Sequence, residues 1–185
     1  WMTDLPADDW INFDGEFVPT NHHREALLDP YAAGDDRQRF ADGWFVETMP
    51  DLNQRNPQMA NYLIQSSIWW VEYAGLSGIR VDTWPYSDKA FLTEYARRLR
   101  MEYPSLGIVG EEWTTNPSLL AYWQAGTARN DGYESYVPNL FDFPLQATMV
   151  RALMDEEAWN SGLGEIYRLL ANDFLYGDPF GLMIF

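Results

Sequence analysis

The sequence predicts an α/β fold on a parallel sheet. Two observations carry this expectation. Short apolar runs tipped with charge, "GIRVD" and "LGIVGEE", are bounded by glycine and are too brief for helices. Between them lie longer segments whose apolar residues recur at helical spacing. Strands that alternate with helices pair in parallel, with the helices as crossovers.

Residues 1 to about 50 are rich in Asp, Gly, Pro and His and have little periodicity. They are expected to form an irregular excursion with short elements at most. Within them "DPYAAGDDRQRFADGW" is acidic, lacks the alternating ligands of a calcium loop and reads as a solvated loop. Regular structure is expected after "MPDLNQRNP". Asn56 is suited to cap a helix and Pro57 to its first turn, with Met59, Leu63, Trp70, Val71 and Ala74 on one face and Gly75 as the stop. A buried strand follows at Ile79–Val81. Ser87 is the expected cap of the next helix, which carries Phe91, Leu92, Tyr95, Ala96 and Leu99 on its apolar face. Arg97, Arg98 and Arg100 near its end complement the helix dipole. "LGIVG" is the second strand, and "NPSLLAYWQAG" repeats the Asn-Pro helix start. "NLFDFP" is the third strand, 144–154 and 165–174 are helical, and "GLMIF" is the fourth strand.

Composition limits the function. The chain has 185 residues, 46 % hydrophobic and 16 % aromatic, which is enough for a packed core. A net charge of −16 argues against a nucleic-acid partner. No apolar run has the length of a membrane helix. With no cysteine, disulfides and thiolate metal sites are excluded. The chain starts at Trp1 without a leader and ends on an apolar run, so it reads as the middle of a longer protein.

Chemistry gathers at the strand ends. Side chains alternate along a strand, so Arg80 and Asp82 share one face while Ile79 and Val81 share the other. An Arg beside Asp82 keeps that carboxylate ionised, although a structural ion pair would look the same. In a (β/α) barrel the functional residues follow the C-terminal ends of strands, and Asp82 and Glu111 both fall there, at one mouth. Two carboxyls in different surroundings suit glycosidic bond cleavage, while metal ligation and a structural network are the other uses of such a pair. Glu111 has no cation next to it in sequence and lies near Trp113, so it is the candidate for a raised pKa and for acid duty. Glu112 competes for that role, and period-2 counting does not choose between them. Trp84, Tyr86, Trp113 and Trp123 are candidates to stack on sugar rings. The adjacent His22 and His23 do not form a zinc pattern and are read as loop residues near a cleft. No residue is assigned to a metal.

"GIRVD", "VGEEW" and, upstream, "MPDLNQRNP" resemble, in order, three short regions of the α-amylase superfamily, glycoside hydrolase family 13. The nearest likeness is to its neopullulanase and cyclomaltodextrinase group, as found in Bacteroides-like bacteria. The resemblance implies a partial (β/α)8 TIM barrel with part of an inserted B domain. Residues 1–50 would be B-domain-like, and 51–185 would run from roughly the third helix through the seventh strand. It implies that Asp82 is the nucleophile, Arg80 the arginine that holds it, and Glu111 the acid/base, with Glu112 beside it and non-catalytic. Substrate contacts would come from Arg80, Trp84, Tyr86 and Trp113. Where many members carry Lys-His, this chain has Pro85-Tyr86, so a substrate-touching Lys and a calcium-holding carbonyl are not carried over. No cofactor is expected, and calcium is possible without support; Asp51 and Asn53 are read first as anchors of the inserted segment. The implied activity is retaining hydrolysis of α-glucosidic bonds in maltodextrins, cyclodextrins or pullulan, in a periplasmic or extracellular bacterial setting. The alternatives are a glucanosyltransferase or a non-catalytic glucan-binding homologue. The family's third essential carboxylate is expected just beyond Phe185, so the 185-residue segment alone is expected to be inactive.

Overall fold

A computed structural model describes residues 5–184. Phe185, the last residue of the predicted fourth strand, and residues 1–4 of the predicted irregular segment lie outside the described residues. By compactness the chain divides into two units, Trp1–Leu76 with Pro85–Arg98, and Ser77–Trp84 with Leu99–Phe185.

In the first unit, three 3-10 turns (Asp8–Trp10, Asn12–Gly15 and Arg24–Leu27) precede helix α1, Gly34–Ala41. This helix corrects the solvated-loop expectation for residues 29–44. Asp35 and Asp36 lie in its first turn, where the dipole favours them, and Phe40 buries its ring completely. Helix α2, Pro57–Ala74, starts and stops as its residues predict. The Asn56 side chain accepts from the amides of Gln58 and Met59 at 2.9 and 3.0 Å, and Gly75 ends the helix with a positive φ of 63°. Met59, Ile64 and Val71 are buried, but Trp70, expected on the same face, is 52 % exposed.

Helix α3, Lys89–Glu102, buries Leu92, Tyr95, Ala96 and Leu99 as expected. Its start is capped by Asp88 and not by Ser87: the Asp88 Oδ1 accepts from the Phe91 amide at 2.9 Å. The carboxylate one residue later meets the free amides of the first turn more directly.

The second unit is built on a four-stranded sheet: β1 Gly78–Val81, β2 Gly107–Gly110, β3 Asn139–Phe141 and β4 Leu182–Met183. All three pairings are parallel and the strands lie in chain order. Between β2 and β3 lies α4, Pro117–Trp123, with Asn116 as its cap. Between β3 and β4 lie α5, Phe143–Met154, capped by Asp142, and α6, Gly164–Leu170. The helix predicted over 165–174 stops earlier, and a separate 3-10 turn covers Asp173–Leu175. Ile108, Leu120, Trp123 and Leu140 form the core of this unit. β1 was expected to be buried; it has one neighbouring strand among the described residues, and Ile79 and Val81 are only half-buried. Among the described residues no helix is long and apolar enough to cross a membrane.

The segment 51–56 packs back onto the first residues of its own unit. Asn12 and Asn53 donate backbone bonds to Asp51 and Trp10 at 3.0 and 2.8 Å. Arg55 donates to Asp42 and to the Asn12 side chain. The Asn12 amide nitrogen also donates to Asp51 Oδ2 at 2.6 Å. Burial nevertheless pushes the Asp51 carboxyl up to about 7; the Asn12 bond and Arg55 oppose the rise and the charge of Asp42 adds to it. A carboxyl raised on folding binds its proton more tightly in the folded state. Its contribution to stability is therefore complete below the ordinary value of 3.8 and is lost as pH rises through about 7. Replacing Asp51 with Asn should flatten this part of the pH dependence, so that urea midpoints of the variant fall less than those of the parent between about pH 4 and 7.

Candidate active site

β1 and β2 carry Arg80, Asp82 and Glu111 to adjacent strand ends because Val81 pairs with Gly110. A side chain at Gly110 would crowd its neighbours. A Cβ there would stand 3.1 Å from Leu140 Cδ2 and 3.2 Å from Trp84 Cγ. The absent side chain lets the Trp84 ring lie close against Gly110 of β2.

Arg80 joins the two carboxylates. Its Nη2 donates to Asp82 Oδ1 at 2.8 Å and to Glu111 Oε2 at 2.7 Å. The cation that is missing beside Glu111 in the sequence is thus supplied across the ladder. The two acids differ in exposure: the Asp82 side chain is 67 % exposed and that of Glu111 only 11 %. Asp82 is held below the ordinary carboxylate value, first by its hydrogen bond with Glu111 and then by the charge and hydrogen bond of Arg80 and the Thr83 amide, against partial burial. Glu111 is pushed up, first by burial and then by the hydrogen bond and charge of Asp82, with Thr83 and Arg80 opposing. These two acids titrate as a pair, and of the two Glu111 binds a proton the more tightly.

A cavity of about 340 Å³ opens beside the pair, lined by Arg80, Glu111, Trp113, Phe141, Phe143 and Gln146. Trp113 is 70 % exposed and stacks on Phe143 at 5.6 Å and 12°. The Arg80 guanidinium lies 5.8 Å from the centre of the Phe141 ring. The site therefore joins a cation, a protonatable carboxyl and an aromatic wall, an arrangement suited to a ligand with both hydroxyl and C–H faces.

Of the residues singled out from sequence, Arg80, Glu111 and Trp113 line the cavity, and Asp82 is tied to it through Arg80. Glu112 is 1 % exposed and takes no part in the lining. Trp84 and Trp123 are corrected to core residues: they are 0 and 2 % exposed and offer no ring face to a ligand. Tyr86 belongs to the first unit, where its ring packs on Phe40 at 4.2 Å and on Phe45 at 4.8 Å and its hydroxyl hydrogen-bonds with His22 Nδ1 at 3.0 Å. It is 8 % exposed, so the expected substrate contact is replaced by a packing role. His23 lies 3.6 Å from Asp36. Phe141, Phe143 and Gln146 were not singled out. Phe141 ends β3, so the strand-end rule that picked out Asp82 and Glu111 applies to it equally.

Replacing Arg80 with Gln should raise the pH at which the Asp82–Glu111 pair ionises, because the shared cation favours both charged forms. A carbon-13 NMR titration of labelled side-chain carboxyls checks this, and an unmoved pair would contradict it.

No family profile matches the chain. It is similar to neopullulanase 2 of Thermoactinomyces vulgaris, at 30 % identity over 127 residues, 62 % of this chain and 22 % of that protein. It is also similar to the intracellular maltogenic amylase of Bacillus subtilis (strain 168), at 32 % identity over 79 residues, 43 % of this chain and 13 % of that protein. Among solved structures, the α-amylase of Geobacillus thermoleovorans in complex with acarbose superposes with a TM-score of 0.74 at 23 % identity, over 100 % of this chain and 36 % of that one. An α-amylase of Anoxybacillus gives 0.72 at 21 %, over 98 % of this chain and 34 % of that one. The chain thus spans between 13 and 22 % of the length of these curated relatives. The four parallel strands and their helices are a portion of a (β/α)8 barrel.

Proposed function

We propose, for a chain that belongs to the α-amylase superfamily, that the protein containing it is a retaining glycoside hydrolase. Its substrates would be α-glucans such as maltodextrins, cyclodextrins or pullulan. The observation that carries this reading is the single Arg80 nitrogen shared by both carboxylates. Two bonds of 2.8 and 2.7 Å meeting at one atom keep the bonded oxygens no more than about 5.5 Å apart, a closeness that favours the retaining separation of about 5–5.5 Å between carboxyl groups over the inverting one of about 6.5–9.5 Å.

The chemistry follows from the difference between the two acids. Asp82, exposed and held below the ordinary carboxylate value, attacks the sugar C1 as its ionised form, while Glu111, buried and pushed up, gives a proton to the departing glycosidic oxygen. The glycosyl ester on Asp82 is then cleaved by water, whose proton returns to Glu111 as the C1–Oδ bond breaks. Arg80 compensates the negative charge of Asp82 in the resting site and when the ester leaves. The Trp113–Phe143 stack supports the carbohydrate reading, since it gives the C–H face of a sugar an apolar surface beside the proton donor.

Proton NMR of the first product released from maltodextrin by the full protein tests the proposal. The α-anomer is expected before mutarotation, and an initial β-anomer would contradict the assignment of Asp82 as nucleophile.

A further inference from the structure

The end of β1 contains a one-residue bulge. In a regular parallel ladder, a residue that donates to the carbonyl of residue i accepts from the amide of residue i+2. Glu111 donates to the Val81 carbonyl at 3.0 Å, but its own carbonyl accepts from Trp84 at 2.9 Å, one residue later than the regular pattern. Thr83 is the extra residue. Its φ is +47°, a left-handed conformation that is unfavourable for a β-branched side chain. The bulge frees the Thr83 amide from the ladder, and that N–H donates instead to the Glu111 side chain, at Oε2, at 3.2 Å.

We propose that Thr83 is a positioning residue whose strained backbone turns its N–H onto Glu111 Oε2, reserving Oε1 for the proton exchanged with the sugar. Oε2 accepts from both Arg80 Nη2 and the Thr83 amide, which occupies its two lone-pair directions. A proton on that oxygen would have to displace one of them. The same amide favours the ionised forms of both Asp82 and Glu111. The charged and titratable groups at the pair are Arg80 and Asp82 from the end of β1 and Glu111 from β2. The other cavity walls, Phe141, Phe143, Gln146 and Trp113, are uncharged. A non-glycine residue at positive φ is thereby explained: the conformation is a local cost that fixes which carboxyl oxygen is reactive.

This inference rests on the proposed roles of Asp82 and Glu111, and its test separates the two claims. In the full protein, the amide linking Asp82 to residue 83 is replaced by an ester, using the α-hydroxy analogue of threonine. One N–H is lost and every side chain is kept. Both limbs of the pH profile for maltodextrin hydrolysis should move to higher pH by about half a unit, because the ionised forms lose a donor. The pair's carboxyl titration, read by carbon-13 NMR, should move the same way. Thr83→Gly keeps the N–H and accepts positive φ without strain, so its limbs should coincide with those of the parent. An ester whose titration coincides with the parent's overturns the inference, and so does a Thr83→Gly variant that moves as far as the ester. A parent protein that cleaves no α-glucan would overturn the proposed function instead, and the NMR titration would still decide the role of the Thr83 amide.

Discussion

The Arg80 Nη2 atom donates to Asp82 and Glu111 together, and that shared bond holds the two acids side by side. Two carboxylates held this close repel each other when both are ionised, which splits their titrations, while Arg80 opposes the repulsion. Burial decides which acid holds a proton more tightly: Glu111 is nearly enclosed and is pushed up, while Asp82 faces solvent and is held down. A guanidinium suits this position because it remains charged throughout and presents several donors in a fixed plane. It also lies over the Phe141 ring, 5.8 Å from its centre.

The rest of the second unit serves this arrangement through register and size. Val81 opposite Gly110 sets the two acids side by side, and the bare Cα of Gly110 makes room for Trp84. Trp84 closes the bulge by returning its amide to the Glu111 carbonyl. Glu111 is consequently held by backbone bonds at its nitrogen and oxygen and by a third at its side chain, all from the end of β1. Such a carboxyl is constrained before any ligand arrives, which is the condition under which fixed dipoles assist proton transfer most.

Much of this was legible in the sequence where the signal is local. Asn56, Pro57 and Gly75 act through bonds within a few residues, so the limits of α2 could be read directly. The alternation of Arg80 and Asp82, and the position of Glu111 just past a strand, placed the candidate acids. Tertiary effects were hidden. Helix α1 has an acidic, glycine-led start that resembles a loop until Phe40 is seen to be buried. Trp84 follows a strand end, as a ligand-stacking residue should, but the gap left by Gly110 draws it into the core. Phe141 and Phe143 resemble ordinary core aromatics, and their part in the cavity wall appears only once β3 lies beside β2. The Thr83 bulge has no sequence signature, because threonine is a poor choice for positive φ.

In the proposed mechanism Asp82 is the group that bonds to the sugar while Glu111 handles the proton. A fluorinated α-glucosyl fluoride, which forms the covalent intermediate faster than the intermediate breaks down, measures this directly when the labelled full protein is digested and its peptides are sequenced by mass spectrometry. One glycosyl adduct, on Asp82, is expected. An adduct on Glu111 or Glu112, or turnover without any adduct, would contradict it.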